Sequence, residues 1–186
     1  MNLEEYRRWL EENGNQEERK AYEVAEWIIK YHLADVKAYD WEEELLPRFW
    51  YTAHDEKLEF DLLIKLKWVN KRKYERWIGI EFKETDFRKV VTQAVARSSY
   101  VDYMWVATNM VIPDTATLLE LIDYGIGWVI WDEDFVKILI PARFERGHLV
   151  EMFRYLAERE LRSAAERLLN DARVAQGMRS LLDFVK

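Results

Sequence analysis

Cysteine is absent from the 186-residue sequence, which excludes disulfides, thiolate zinc sites and cysteine nucleophiles. Glycine and proline are scarce, at six and three residues. The sequence contains neither a glycine-rich phosphate loop nor a G-x-S-x-G elbow, so nucleotide triphosphatase and serine hydrolase chemistry have no support. The three histidines, His32, His54 and His148, lack ligand spacing and predict no metal role.

Long apolar stretches are also missing, since no run approaches the roughly 18 residues of a membrane span. The charged N-terminal segment lacks the apolar core of a signal peptide. We therefore expect a soluble, cytoplasmic protein. Its length suits one domain with an extension, and nine Trp, ten Tyr and eight Phe provide ample side chains for a core.

Positive charge is in deficit, with a formal net charge of −7. This balance argues mildly against a general nucleic-acid binder, which is usually basic. It does not argue against an enzyme whose carboxylates hold Mg²⁺, because the ion then supplies the local positive charge.

The hydrophobic pattern predicts alternating helices and strands. Residues 3–12 form a predicted helix that stops at Asn13-Gly14, and a longer helix follows, with Asn15 as N-cap and Glu18 at the capping-box position. Residues 36–53 are less clear, although Phe49, Trp50 and Tyr51 suggest a strand. The remaining predictions are helices over 86–100 and 115–124 and strands over 104–108, 126–131 and 136–140.

The clearest signal is a β-hairpin. Apolar and polar residues alternate from Leu58 to Trp68, and again from Tyr74 to Lys83, with a polar turn between the two segments. Together the elements predict an α/β core with a mixed sheet covered by helices on both faces. Residues 1–140 would form this core, and residues 141–186 a helical C-terminal segment that packs on the core or on a second subunit, which makes a homodimer conceivable.

The hairpin brings chemistry-bearing residues together. Glu81 and Lys83 share a strand face, and Asp61 lies on the neighbouring strand, so the two carboxylates can approach each other. Such a pair repels unless it is protonated or bridged by a cation, and oxygen ligands favour Mg²⁺. Lys83 beside them could orient water and stabilise a phosphate. The alternative is an exposed strand face with an ordinary ion pair.

These residues resemble the PD-(D/E)xK phosphodiesterase superfamily of restriction-endonuclease-like nucleases. Asp61 stands in LEFDLLI, Glu81 and Lys83 follow in GIEFKE, and Gln93 lies on the next helix; the resemblance covers about residues 17–131. It implies Mg²⁺ or Mn²⁺ on Asp61, Glu81 and the Phe82 carbonyl, with Lys83 as the catalytic lysine and Gln93 near the water or phosphate. Phe60 departs from the pattern, because it replaces the motif's proline.

Members of this superfamily often add a glutamate from the first core helix. Helical spacing selects Glu18 as a tentative metal ligand, with Glu26 at the edge of the apolar stripe and Glu23 pointing away. The capping-box position explains Glu18 equally well.

Positive charges concentrate on the hairpin, at Lys65, Lys67, Lys71, Arg72, Lys73 and Arg76. They predict either a phosphate-contacting clamp beside the site or protection of an edge strand from aggregation. Arg97, one turn after Gln93, would reach the phosphate or form a salt bridge.

The resemblance thus implies a metal-dependent nuclease that hydrolyses phosphodiester bonds. DNA is favoured over RNA, in repair, recombination or processing of viral or mobile-element DNA. One alternative is a catalytically inactive nuclease-fold protein that binds nucleic acid or serves as an assembly module. Another is an unrelated α/β binding domain, in which Asp61 and Glu81 would be far apart.

Overall fold

A computed structural model describes residues 1–38, 40–53, 56–70, 72–109 and 112–148, without the side chains of Asp35, 51–53 and 56–58. The chain divides into two units after His148, and all described residues belong to the first unit. Lys71, His54 and the predicted tail helices beyond His148 therefore lie outside the description.

Six strands form one mixed sheet, with spatial order equal to chain order. The first three strands and the last two are antiparallel to their neighbours, whereas the third, fourth and fifth run parallel. The strand bounds are β1 Asp40–Ala53, β2 Glu56–Val69, β3 Lys73–Lys83, β4 Tyr103–Asn109, β5 Gly127–Trp131 and β6 Val136–Ile140.

Within the part of the chain that the structure describes, four α-helices accompany the sheet: α1 Leu3–Asn13, α2 Ala21–Val36, α3 Phe87–Ser98 and α4 Thr115–Asp123. Side-chain caps fix three of the helix starts, because Asn2, Asp86 and Asp114 each accept a backbone N–H of the first turn. None of the described helices has the length and apolar character needed to cross a membrane.

One core cluster joins α1 and α2 to the sheet. It combines Tyr6 and the apolar stripe of α2 with alternate residues of the central strands, among them Leu62, Ile64, Ile80 and Trp105. The other side of the sheet receives α3, which contacts β2, β3 and β4 and buries Phe87, Val90, Val91 and Ala94. The expected α/β architecture with a mixed, helix-flanked sheet is therefore present.

The predicted hairpin is confirmed, since β2 and β3 pair from Leu62–Ile80 to Val69–Lys73. The prediction of one helix starting at Asn15 is wrong. The Asn15–Glu18 capping box exists, but it closes a short 3₁₀ turn, Gln16–Glu18, and α2 begins only at Ala21. Lys20 between them has non-helical dihedrals and provides no side-chain cap.

Two further differences concern residues 36–53 and the segment that follows residue 140. The unclear region 36–53 contains the end of α2 and a long strand, β1, which pairs with β2 on one side. Residues 141–147, expected to open the C-terminal helices, have no regular secondary structure. Pro141 and Gly147 in this stretch disfavour a continuous helix.

Candidate active site

Asp61 and Glu81 lie where β2 and β3 begin to separate. The pairing of these strands ends at Leu62–Ile80, so both carboxylates stand one residue beyond the last pair. β3 continues alongside β4 as far as Lys83–Thr108. Phe82 N–H donates to Asp61 Oδ2 at 2.8 Å, across the gap. The two acidic residues are therefore neighbours rather than far apart.

Glu81 is completely buried. Its strand face is covered, because Leu63, Trp77 and Gly79 are buried as well. An exposed strand face with a solvated ion pair therefore does not describe this residue. Burial, and after it the negative charge of Asp61, raise the pKa of Glu81 to about 9, while the charge of Arg97 opposes the rise.

Arg97 supplies the positive charge nearest to Glu81. Its Nη1 lies 2.6 Å from Glu81 Oε2, and the side chains are 16% and 1% exposed. The contact does not meet hydrogen-bond geometry, since Arg97 Nη1 has no hydrogen-bond partner within the described residues. Of the two roles expected for Arg97, the structure shows the salt bridge.

Both positively and negatively charged groups act on the pKa of Asp61. Burial raises its pKa, and the Phe82 N–H, Arg97 and Lys83 act in the opposite direction. The positive charge of Lys83 is among those that act on the pKa of Asp61. Asp61, Glu81 and Lys83 therefore lie at the same end of the hairpin.

Lys83 itself forms an ion pair with Glu17, a residue of the 3₁₀ turn. The same turn is held to β3 by the residue that follows Lys83, because Glu84 accepts from Gln16 at 3.3 Å and pairs with Arg19 at 3.6 Å. These tertiary contacts bring the turn, rather than a regular helix, over the end of β3.

Glu18 lies on the same turn and is only 5% exposed. It accepts from the Asn15 backbone at 3.1 Å, as a capping box requires, and from Arg48 Nη2 at 2.7 Å. Its negative charge also contributes to the raised pKa of Asp61, which places it in the same cluster. Both expected roles of Glu18 remain compatible with this position.

A cavity of about 410 Å³ opens onto this cluster. It reaches Asp61 but not the buried Glu81, and it is rich in carboxylates. The lining residues are Asn15, Glu17, Glu18, Arg48, Trp50, Glu59, Phe60, Asp61 and Phe82. A cavity of this character suits cations, or ligands that arrive together with cations.

Whether these residues fit a divalent metal depends on the number of ligands required. Across the described residues, no three His, Cys, Asp or Glu side chains are grouped to hold a metal ion. Mg²⁺ needs fewer, because it keeps several waters and commonly uses one or two carboxylates. Glu81 is buried, and its carboxyl group is one oxygen ligand that such an ion could use. Asp61 on the cavity wall and the neighbouring Glu81 therefore supply the one or two carboxylates that Mg²⁺ or Mn²⁺ requires.

The basic hairpin residues lie elsewhere. Lys67 and Lys73 line a separate groove of about 500 Å³ near the hairpin turn, together with the acidic Asp40, Glu42 and Glu75. Lys67 is six residues from Asp61 along β2, roughly 20 Å at strand rise. Lys65 pairs with Glu75 at 3.7 Å, and Arg72 is exposed close to the turn. These residues do not form a clamp beside the carboxylates.

Gln93 is half-buried on α3, one helical turn before Arg97. Sequence reasoning missed three residues of the cluster, Arg48, Glu17 and Tyr6. The Tyr6 ring is fully buried, and its pKa is raised by burial and by the charges of Glu18 and Asp61. No local sequence pattern predicts Arg48, Glu17 or Tyr6 as site residues, because tertiary packing sets the position of the element that carries each of them.

Comparison with known proteins adds little to this geometry. No family model matches the chain, and no curated protein matches it. A solved structure of a protein of unknown function from Silicibacter pomeroyi shows 16% sequence identity and a TM-score of 0.35, over 74% of this chain and 86% of that one. A likeness of this size carries no argument about fold or function.

Proposed function

We propose that this chain is a metal-dependent nuclease with a restriction-endonuclease-like core, which hydrolyses phosphodiester bonds, in DNA more readily than in RNA. The observation that carries the proposal is the neighbouring pair of Asp61, which lines the cavity, and the buried Glu81, at the opening between β2 and β3, with the charge of Lys83 acting on Asp61. Two neighbouring carboxylates, one of them buried, are unfavourable unless a cation or a proton balances them.

Each residue of the cluster would have a distinct part in the reaction. Asp61 and Glu81 would hold Mg²⁺ or Mn²⁺, with the Phe82 carbonyl and Glu18 as further donors. When bound, such an ion lowers the pKa of water and neutralises charge on a phosphate. Lys83 would donate to the attacked phosphate, and its partner Glu17 keeps the ammonium at the edge of the cavity. Gln93 would orient the water or the phosphate from α3.

The cavity also bears on substrate access. Glu17, Glu59 and Asp61 would repel a bare phosphodiester, so the substrate would approach only with the metal present. The net charge of −7 points the same way. We therefore expect tight dependence of nucleic-acid binding on divalent ions, which a simple basic binder would not show.

Cleavage of supercoiled plasmid, single-stranded DNA and RNA in Mg²⁺, Mn²⁺ or EDTA tests the proposal. Wild-type protein should cleave in Mg²⁺ or Mn²⁺ and not in EDTA. Lys83→Met should lose at least about a hundredfold in rate, the scale of one electrostatic catalytic group. Lys137→Met is the matched control, because Lys137 is an exposed lysine on β6. Equal cleavage by Lys83→Met and Lys137→Met, or no cleavage by wild type, would overturn the proposal.

A further inference from the structure

The ion pair between Glu81 and Arg97 raises a question about the candidate metal site. Glu81 is one of its two principal ligands, and a protein cation already lies 2.6 Å from one of its oxygens. A divalent ion at Glu81 would meet a like charge at short range. Two cations within a few ångströms repel strongly where water is excluded.

The geometry of the contact shows that it is not an optimised structural bridge. An Arg–carboxylate pair built for stability is usually bidentate, with two parallel hydrogen bonds. Here the close contact joins Arg97 Nη1 to Glu81 Oε2, and it lacks hydrogen-bond angles. A buried pair without good hydrogen bonds recovers little of its desolvation cost.

The position of α3 also does not depend on this pair. Phe87, Val90, Val91 and Ala94 bury an apolar face of the helix against the sheet, and Asp86 caps its start. Arg97 is in the last turn, where the side chain can move while the helix stays packed. The ion pair is therefore not needed to anchor α3, and Arg97 can have a different role.

We infer that Arg97 is a built-in counter-ion, which holds its positive charge against the Glu81 carboxyl group in the metal-free protein and is displaced when a divalent cation binds. This inference rests on the proposed function. Its consequence is that Arg97 lowers the affinity of the empty site for metal. The displaced guanidinium, with five N–H donors and no acceptor, is then available to an anion that arrives with the metal.

Calorimetric titration of the full chain with Mn²⁺ tests this role without measuring cleavage. Arg97→Met should bind Mn²⁺ about tenfold more tightly than wild type, because one opposing charge is gone. Arg97→Lys, which keeps the charge, should stay near the wild-type affinity. Arg88→Met is the matched control, since Arg88 is an exposed arginine on the same helix, and its affinity should also stay near wild type.

Each outcome decides between the two proposals. If wild type takes up no Mn²⁺, the metal site and the counter-ion are both overturned. If wild type binds Mn²⁺ and a folded Arg97→Met binds it equally or more weakly, the counter-ion role is overturned while the metal site stands. Arg97→Gln, which preserves most of the side-chain volume near Glu81, answers the same question should Arg97→Met fail to fold.

Discussion

Arg48 on β1 lies opposite Asp61 on β2, in the gap that the strand pairing leaves between Pro47–Leu62 and Phe49–Phe60. Arg48 has a left-handed backbone with φ of 45°, which is unusual for a residue with a side chain. Its guanidinium donates to Glu18 and to the Asn13 carbonyl, each at 2.7 Å. Among the described residues, Arg48 is the only arginine that lines the cavity. Its strained backbone therefore lies at the candidate site.

The first prediction separates the strain at Arg48 from its contacts. Arg48→Ala should reduce the free energy of unfolding by about 2 kcal/mol, because the buried Glu18 loses its cation. Arg48→Gly loses the same contacts but relaxes the left-handed backbone, so it should be about 1 kcal/mol more stable than Arg48→Ala. Urea unfolding of the three proteins measures both differences. Equal stability of the alanine and glycine variants would contradict backbone strain at this position.

The second prediction concerns metal and stability. A ligand that binds only the folded state stabilises it, by about 2.7 kcal/mol at one hundred times the dissociation constant. Mn²⁺ should therefore raise the melting temperature of wild type in a concentration-dependent way. Asp61→Asn should abolish most of this rise, because the amide is a poorer ligand for the ion.

Asp134→Asn provides the matched control for that experiment. Asp134 is exposed and follows β5, on the far side of the sheet order from β2. Its variant should keep the full Mn²⁺-dependent rise. A rise that survives in Asp61→Asn would mean that the ion binds outside the carboxylate pair.

The third prediction follows from His32, which is buried between the rings of Tyr31, Tyr103 and Trp105. Burial lowers its pKa from 6.5 to about 4. The unfolded chain then takes up a proton below pH 6.5 that the folded protein resists. The stability contributed by neutral His32 is fully present above pH 6.5 and is lost as the pH falls towards 4.

His32→Phe removes this titration while keeping a ring in an aromatic environment. Between pH 7 and pH 5, wild type should lose about 2 kcal/mol more unfolding free energy than His32→Phe, at about 1.4 kcal/mol per pKa unit. Urea unfolding at the two pH values provides the comparison. Parallel losses in both proteins would show that His32 is not kept neutral by the fold.

The fourth prediction concerns the close approach of β4 and β5. Gly127 pairs with Trp105, and a Cβ at Gly127 would lie 2.3 Å from the indole ring. Trp105 is completely buried and has no room to retreat. Gly127→Ala should therefore cost about 1–3 kcal/mol of stability, the usual cost of overpacking. Adding Gly127→Ala to the Trp105→Phe variant should cost less unfolding free energy than adding it to wild type, because the smaller ring leaves room for the added methyl group.

Much of the fold could be predicted because local patterns and tertiary structure agree there. The two-residue alternation of β2 and β3 and their polar turn specify a hairpin, and a hairpin makes Asp61 and Glu81 neighbours. Asp86 and Asp114 cap helices where the sequence places them. The carboxylate pair was accessible to sequence reasoning for this reason.

Other parts depend on contacts between distant segments. Pro47 interrupts the sequence of β1, yet proline is tolerated in an edge strand, and β1 lies at the edge of the sheet. The 3₁₀ turn before α2 is held by Glu84, which is 68 residues from Gln16. Tyr6, Glu17 and Arg48 reach the cluster from three different elements, and no periodicity in a single sequence predicts such approaches.

The separation of β2 and β3 beyond Leu62–Ile80 also has an evolutionary consequence. The carboxylates occupy the open end of the hairpin, while its turn lies at the closed end, eight pairs away. Residues can be inserted into or deleted from the turn without altering the register that positions Asp61 and Glu81. The turn is thus the natural place for a lineage to diversify, or for an engineer to graft a peptide or label.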